Sequence, residues 1–378
     1  MDIRLLDSID QCDPELWDSL YNSSYPFLKH RFLSLLERSG SVSEMTGWQP
    51  SHLLLTDQDQ VVAAMPLYLK SHSWGEYVFD WSWAEAYEQK LVSYYPKLLS
   101  AVPFTPAIGP RLGLAPGRTV DEVAPQVLDQ LQLLAKKRHI SGWHLLFPEP
   151  PLIDTLKRAG CITRSTIQYL WENQGYASFD DFLDALASRK RKGIKRERSE
   201  VHQQGLQVRR LCDEEITPEW WSFFCHVYRN TYLKHSGNQG YLTQAFFQGL
   251  GETMRGQIML AVAERGEQKI AAALFFHDNE NLYGRYWGCV EEHDYLHFEL
   301  CYYQGIEFAI ERKLPRFDAG AQGEHKVRRG FIPQEIMSVH WIKHPEFSSA
   351  ISRYVAAERR YVLDYIQEAC GQLPYKAP

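Results

Sequence analysis

Two segments far apart in the chain share one pattern, and that pattern limits the folds open to it. HLLLTDQDQVVAAMPLYLK (52–70) is two apolar runs around a polar turn; IMLAVAERGEQKIAAALFFHD (258–278) is the same, with a V/I-A-A-containing return strand in each. Both read as β-hairpins. An aromatic stretch expected to be a strand follows each hairpin, YVFDWSWA in one half and LYGRYWGC in the other, and then a helix. The order predicts an internal duplication of one hairpin, strand, helix, strand unit. Helices between strands imply crossovers and at least one parallel pairing in each half.

The 378 residues are enough for two domains, each with its own core. With no Pro/Gly/Ser-rich linker between the halves, we expect close packing and a division into 1–165 and 166–378. The first half adds an amphipathic helix at 119–139, with Val123, Val127, Leu131 and Leu134 on one face and Pro125 near its start. A short buried strand at 142–148 and a helix at 151–160 closed by Gly160 follow. In 97–112, Pro103, Pro106 and Pro110 cut the helical potential. SFDDFLDALASRKRKGIKRERSEVHQQG (178–205) reads as one long helix capped by Ser178 and stopped by Gly205, and it opens the second domain.

A net charge of −6 argues against a general nucleic-acid coat but leaves room for a local basic patch. The seven cysteines are scattered, odd in number and without a CxxC pair, so reduced thiols in a cytoplasmic protein are expected. MDIRLLDSIDQCDPELW has no basic region followed by an apolar one, as a signal peptide would, and no run approaches the ~20 apolar residues of a membrane span. No GxSxG, P-loop or metal-binding motif stands out; His293 and His297 are spaced i,i+4 without a third ligand, and no metal is expected.

Four places concentrate chemistry. AGAQGEHKVRRGF (319–331) follows a buried strand, where α/β folds gather ligands. Glu324 or His325 could take a proton from an attacking amine, while Lys326, Arg328 and Arg329 could hold anionic charge beside Gln322; a solvated loop is the competing reading. GRYWGC puts Arg285 and Trp287 on one strand face and Tyr286 on the other, suiting either an anionic substrate group or a buried structural ion pair. His297 and Glu299 open the next helix. Between Arg189 and Arg198 lie seven basic residues, of which Lys192, Lys195 and Arg196 are the first candidates for phosphate or RNA, against a solvated helix as the equal alternative.

These motifs, with LHFELCYYQGIEFAIERKLPRF (296–317), SVHWI (338–342), HSWGEYVFDWSWAEAY (72–87) and YYPKLLSAVPFTPAIGPRL (94–112), together resemble the FemAB-like family of N-acyltransferases, over nearly the whole chain. The resemblance implies an α/β (α+β) fold of two tandem GNAT-like domains, each a mixed sheet flanked by helices. It implies acyl or aminoacyl transfer to an amine, with acyl-CoA or aminoacyl-tRNA as co-substrate, no tightly bound cofactor, and a small-molecule or peptide acceptor, such as a peptidoglycan precursor. It also marks Lys70, His72, Trp81, Tyr95 and Lys97 as candidate acceptor-binding residues and raises the loop at 319–331 to a site candidate. One feature departs from CoA-using relatives: the Q/R-x-x-G-x-G/A loop is missing, and Glu291, Glu292 and Asp294 stand where a pyrophosphate would lie. The reading from another class is a non-catalytic module that binds a nucleotide-bearing or peptidoglycan-like ligand, or RNA.

Overall fold

The computed structural model describes residues 1–321 and 323–376. It contains two compact units: unit 1 comprises Met1–Thr166 and Glu335–Asp364, and unit 2 comprises Ile167–Gln334 and Tyr365–Pro378. The expected division lies at 165/166 in sequence; in space, the segment Glu335–Asp364 packs with unit 1.

In unit 1 the chain forms β1 (Asp2–Leu6), α1 (Pro14–Tyr21), α2 (His30–Arg38), β2 (Trp48–Pro50), β3 (His52–Asp57), β4 (Gln60–Met65), β5 (Tyr68–Lys70), α3 (Trp81–Gln89), β6 (Lys97–Ser100), β7 (Gly113–Leu114), α4 (Val120–Lys137), β8 (Gly142–Leu145) and α5 (Pro150–Arg158). β9 (Ile162–Glu172) then carries it into unit 2. There follow α6 (Phe179–Asp184), α7 (Ser188–Gln203), β10 (Gln207–Cys212), α8 (Pro218–Ser236), α9 (Gln244–Thr253), β11 (Ile258–Arg265), β12 (Gln268–His277), β13 (Asn281–Cys289), α10 (Leu296–Phe298), a π-helical turn (Glu299–Tyr303), α11 (Gln304–Glu311), β14 (Arg316–Asp318) and a 3-10 turn (Glu324–Arg329). β15 (Ile332–Ile342) returns the chain to unit 1, and α12 (Pro345–Cys370) closes it.

Both hairpins form as read. β3 pairs antiparallel with β4, and β11 with β12. Unit 1 has a sheet ordered β1-β3-β4-β7 and a second run β2-β5-β6-β8-β15; unit 2 is ordered β10-β11-β12-β13-β14-β9. Each unit holds one parallel pair, β6 with β8 and β13 with β14, each separated in sequence by a helix. Both units hold mixed sheets flanked by helices, as expected. The strand beyond the parallel pair is exchanged: β14 pairs with Leu170–Glu172 of β9, a strand that enters unit 2 from unit 1, and β8 pairs with Val339–Ile342 of β15, a strand that enters unit 1 from unit 2.

Leu53, Val127, Leu131, Trp143 and Val339 are buried in the core of unit 1. Trp171, Phe182, Ala273, Tyr303 and Phe317 are buried in that of unit 2. α4 starts at Val120, capped by the Thr119 side chain on the Glu122 N–H, so Pro125 lies inside it.

Two expectations are corrected. Residues 77–80 are not a strand: Gly75 and Tyr77 take positive φ, and Glu76 and Asp80 turn inward to Lys97, so the stretch equivalent to β13 is KLLS, which forms β6. Residues 178–205 are not one helix. The Ala187 N–H donates to Pro374 O (2.9 Å), and the Lys376 N–H to Ala185 O (3.0 Å), so Leu186 bridges Tyr375 and Ala187 is extended, which separates α6 from α7.

Candidate active site in unit 2

β13 and β14 pair only through Asn281↔Arg316, Leu282↔Phe317 and Tyr283↔Asp318. β14 ends there while β13 runs on to Cys289, so one edge of β13 opens past Tyr283. On its other edge the register with β12 slips: Phe275 faces Gly284, whereas Leu274 faces Tyr286. Arg285 is therefore the extra residue of a β-bulge, a device that re-aims a side chain. A cavity of about 100 Å³ lies here, lined by Gly284, Arg285, Trp287, His297, Tyr302 and Ala319 among others. Tyr286 packs edge-on against Tyr228 of α8, on the side opposite Trp287, which meets the His297 ring at 5.3 Å.

A second, larger cavity of about 700 Å³ lies in the same unit. Its walls come from segments the sequence presented separately: Arg189, Lys190, Gly193 and Glu197 of α7, Tyr295 and Phe298 at the two ends of α10, and Glu324, His325, Arg328 and Arg329 of the 3-10 turn. Spacing of i, i+1, i+4 and i+8 puts the four α7 residues on one helix face.

A hydrogen bond joins one wall residue of each cavity. The Tyr302 hydroxyl lies 2.7 Å from His325 Nε2, and the His325 ring is 5.8 Å from that of His297. Burial, then the charges of His325, Lys326 and Arg329, lower the His297 pKa to about 3, so its ring is neutral. Desolvation, helped by Arg329 and Lys326, also pulls His325 below its ordinary value. Burial raises the Tyr302 phenol. A neutral imidazole hydrogen-bonded to a phenol can accept a proton at pH 7 and hand it back.

Several predicted residues brace this arrangement. Arg329 is buried, ion-paired to Glu197 (2.9 Å), donates to Tyr303 Oη (3.0 Å) and His325 O (3.0 Å), and stacks over Phe298 at 3.4 Å. Its charge is already matched, which leaves Arg189, Lys190 and Arg328 as the cations lining the large cavity. Glu299 is buried at the π-helical turn against Arg198, in a two-pronged pair at 3.0 Å, away from both cavities. Lys326 is buried behind the turn and donates to Gly320 O (2.6 Å). Desolvation lowers its pKa to about 8 against the opposing pull of Asp318. Asp318 accepts from Gln168 Nε2 (3.0 Å) and the Gly320 N–H (2.8 Å), and burial raises its pKa. Gln322 lies outside the described residues.

Lys192, Lys195 and Arg196 point away from the large cavity; Lys195 pairs with Asp180 (2.9 Å) and Arg196 with Glu200 (3.3 Å) at exposed positions. Sequence reading missed Arg189 and Lys190 as the cavity-facing pair, and Tyr302 as the partner of His325. The buried Ile194 could have signalled which face of α7 turns inward.

The first-half candidates all lie in unit 1. Lys70 and Lys97 are fully buried. Lys97 donates to Ser73 Oγ (2.8 Å), Glu76 (2.8 Å) and Asp80 (2.5 Å), while Lys70 sits 3.9 Å from Glu76 and over the Trp48 ring. Tyr95 is hydrogen-bonded to Ser73 (2.8 Å), His72 to Thr46 O (3.0 Å), and Trp81 is exposed. Among the described residues no group of three or more His, Cys, Asp or Glu could hold a metal, and no helix is long and apolar enough to cross a membrane. His293 bonds Gln204 and Arg265 rather than joining His297. All seven cysteines are unpaired.

A family model described as FemAB-like, peptidoglycan biosynthesis/recognition, matches residues 8–377. No curated protein matches. Among solved structures, that of FemX superposes with a TM-score of 0.53 at 11% identity, covering 92% of this chain and 99% of FemX. The C-terminal domain of a putative lysylphosphatidylglycerol synthetase from Agrobacterium fabrum gives 0.53 at 10% identity, covering 91% and 96%. A conserved protein of unknown function from Bacteroides thetaiotaomicron gives 0.52 at 10%, covering 90% and 99%. At such identities these likenesses establish the fold.

Proposed function

The chain belongs to the FemAB-like family, and from that premise we propose that unit 2 is an acyltransferase moving an acyl or aminoacyl group from an anionic activated donor to an amine. The observation that carries this reading is the hydrogen bond that joins Tyr302, in the wall of the small cavity, to His325, in the wall of the large one. The large cavity, with Arg189, Lys190 and Arg328, suits the phosphate-bearing part of the donor. The small one, at the bulge, suits the acyl group, with its reactive carbonyl beside that hydrogen bond.

A neutral amine attacks that carbonyl directly. The new C–N bond forms as the bond to the donor's oxygen or sulfur breaks. The Tyr302–His325 pair takes the proton from the amine and returns it to the leaving atom. Neither step calls for a covalent enzyme intermediate.

Aminoacyl-tRNA fits the donor role better than acyl-CoA. The connection after β13 carries exposed Glu291, Glu292 and Asp294, which would repel a pyrophosphate at the start of α10. A peptidoglycan precursor is the acceptor that the family description favours. The test is mass-spectrometric detection of product from a panel of charged tRNAs and acyl-CoAs with UDP-linked muropeptides. Product from charged tRNA alone supports the reading, product from acyl-CoA alone refutes its donor, and ligand binding without any product refutes catalysis.

A further inference from the structure

Glu197 stands in the wall of the large cavity with Arg189 and Lys190, on the same face of α7. A carboxylate among the cations of that wall works against an anionic ligand, so its place there calls for another cause. Its side chain is 17% exposed and turned to the protein. Both carboxylate oxygens accept from one Arg329 nitrogen, at 3.0 and 2.9 Å, and Oε2 also accepts from the Tyr303 hydroxyl.

Arg329 carries the contact onward. A second nitrogen of its guanidinium donates to His325 O (3.0 Å), and its Nε to Tyr303 Oη (3.0 Å). The guanidinium lies 3.4 Å over Phe298, whose ring is 5.5 Å from that of His325. Tyr303 is the chain neighbour of Tyr302. One carboxylate therefore fixes both partners of the 2.7 Å His325–Tyr302 hydrogen bond, Tyr302 through the residue beside it and His325 through Arg329.

The same carboxylate enters the electrostatics of the ring. His325 faces Glu324, Lys326, Arg328 and Arg329 of its own turn, His297 of α10, Tyr302 of the π-helical turn, and Arg189, Lys190 and Glu197 of α7 across the cavity. Burial first, then Arg329 and Lys326, lowers its pKa, and Glu197 offsets Arg329, the stronger of these two cations. We infer that Glu197 is a positioning residue of the site: through Arg329 it holds His325 against Tyr302 and balances the charge beside the ring. That His325 serves transfer rests on the function proposed above; the coupling of Glu197 to His325 does not. Without the carboxylate, Arg329 is left unmatched and disfavours the imidazolium; without Arg329, Glu197 is left unmatched and favours it.

NMR titration of the histidine rings in the full chain reads this without any substrate, the His325 signal being assigned by its loss in H325A. In E197Q, His325 is expected to titrate at least about half a pH unit lower than in the wild type, in R329M higher by a similar amount, and in E197D close to the wild type. Turnover gives a second reading: E197Q is expected to lose about threefold or more in kcat, and the acid limb of its pH profile to move down with the His325 titration. A brace without electrostatic effect predicts no such opposition, so an unchanged titration in E197Q and R329M, or shifts in one direction, overturns the proposal. Should either variant fail to fold, the direction found in the other decides. Opposed shifts together with full turnover by H325A leave Glu197 coupled to His325 and refute the role of His325 in transfer instead.

Discussion

At the scale of single residues, burial decides roles that residue type alone leaves open. EHKVRR offers five cations or bases in six positions, and a sequence cannot say which of them face a cavity. The structure separates them: His325 and Arg328 line it, Arg329 is spent on Glu197 and Phe298, and Lys326 is buried with its pKa lowered to about 8. That shift has a stability consequence. Between the folded value near 8 and the ordinary unfolded value of about 10.4, the unfolded chain binds the extra proton, so stability rises with pH across that window. Urea denaturation of the wild type and K326M should show the wild type gaining on the variant from pH 8 to pH 10; a constant difference would place Lys326 in contact with water.

At the scale of elements, α7 shows how a helix that looks uniformly basic sorts its charges. Its mid-helix Ile194 is buried, and this orients Arg189, Lys190, Gly193 and Glu197 to the large cavity and sends Lys192, Lys195 and Arg196 outward. If the cavity holds the donor's phosphates, R189E/K190E should weaken binding of charged tRNA steeply and flatten its salt dependence. K192E/K195E/R196E should do so far less, and fluorescence anisotropy across a salt series distinguishes them. The reverse ranking would move the donor to the outer face. The helix was legible in its period, but its break at 185–187 was not, because the residues that pair with it, Pro374 and Lys376, are nearly two hundred positions away. The β13 bulge was equally hidden: one extra residue opposite Leu274–Phe275 leaves no mark in GRYWGC itself.

At the scale of the whole molecule, the two hairpins read in the sequence form in different compact units, and each of those units also holds a parallel pair. The exchange of outer strands was not legible, because β9 and β15 are each adjacent in sequence to the unit they do not chiefly complete. Gly142–Leu145 of β8 are fully buried and pair with Val339–Ile342 of β15. A fragment comprising residues 1–166 should therefore lack a cooperative unfolding transition by circular dichroism, while adding residues 335–364 through a linker should restore one. Cooperative unfolding of 1–166 alone would contradict the exchange.

The central claim is that acyl transfer passes through His325, hydrogen-bonded from the wall of one cavity to a wall residue of the other. Its most direct test is the turnover of H325A beside the wild type, with the donor that the panel identifies and with thermal midpoints compared. The account predicts a loss of about 10²- to 10⁴-fold in kcat with KM and the midpoint nearly unchanged. Transfer by H325A at the wild-type rate would contradict it.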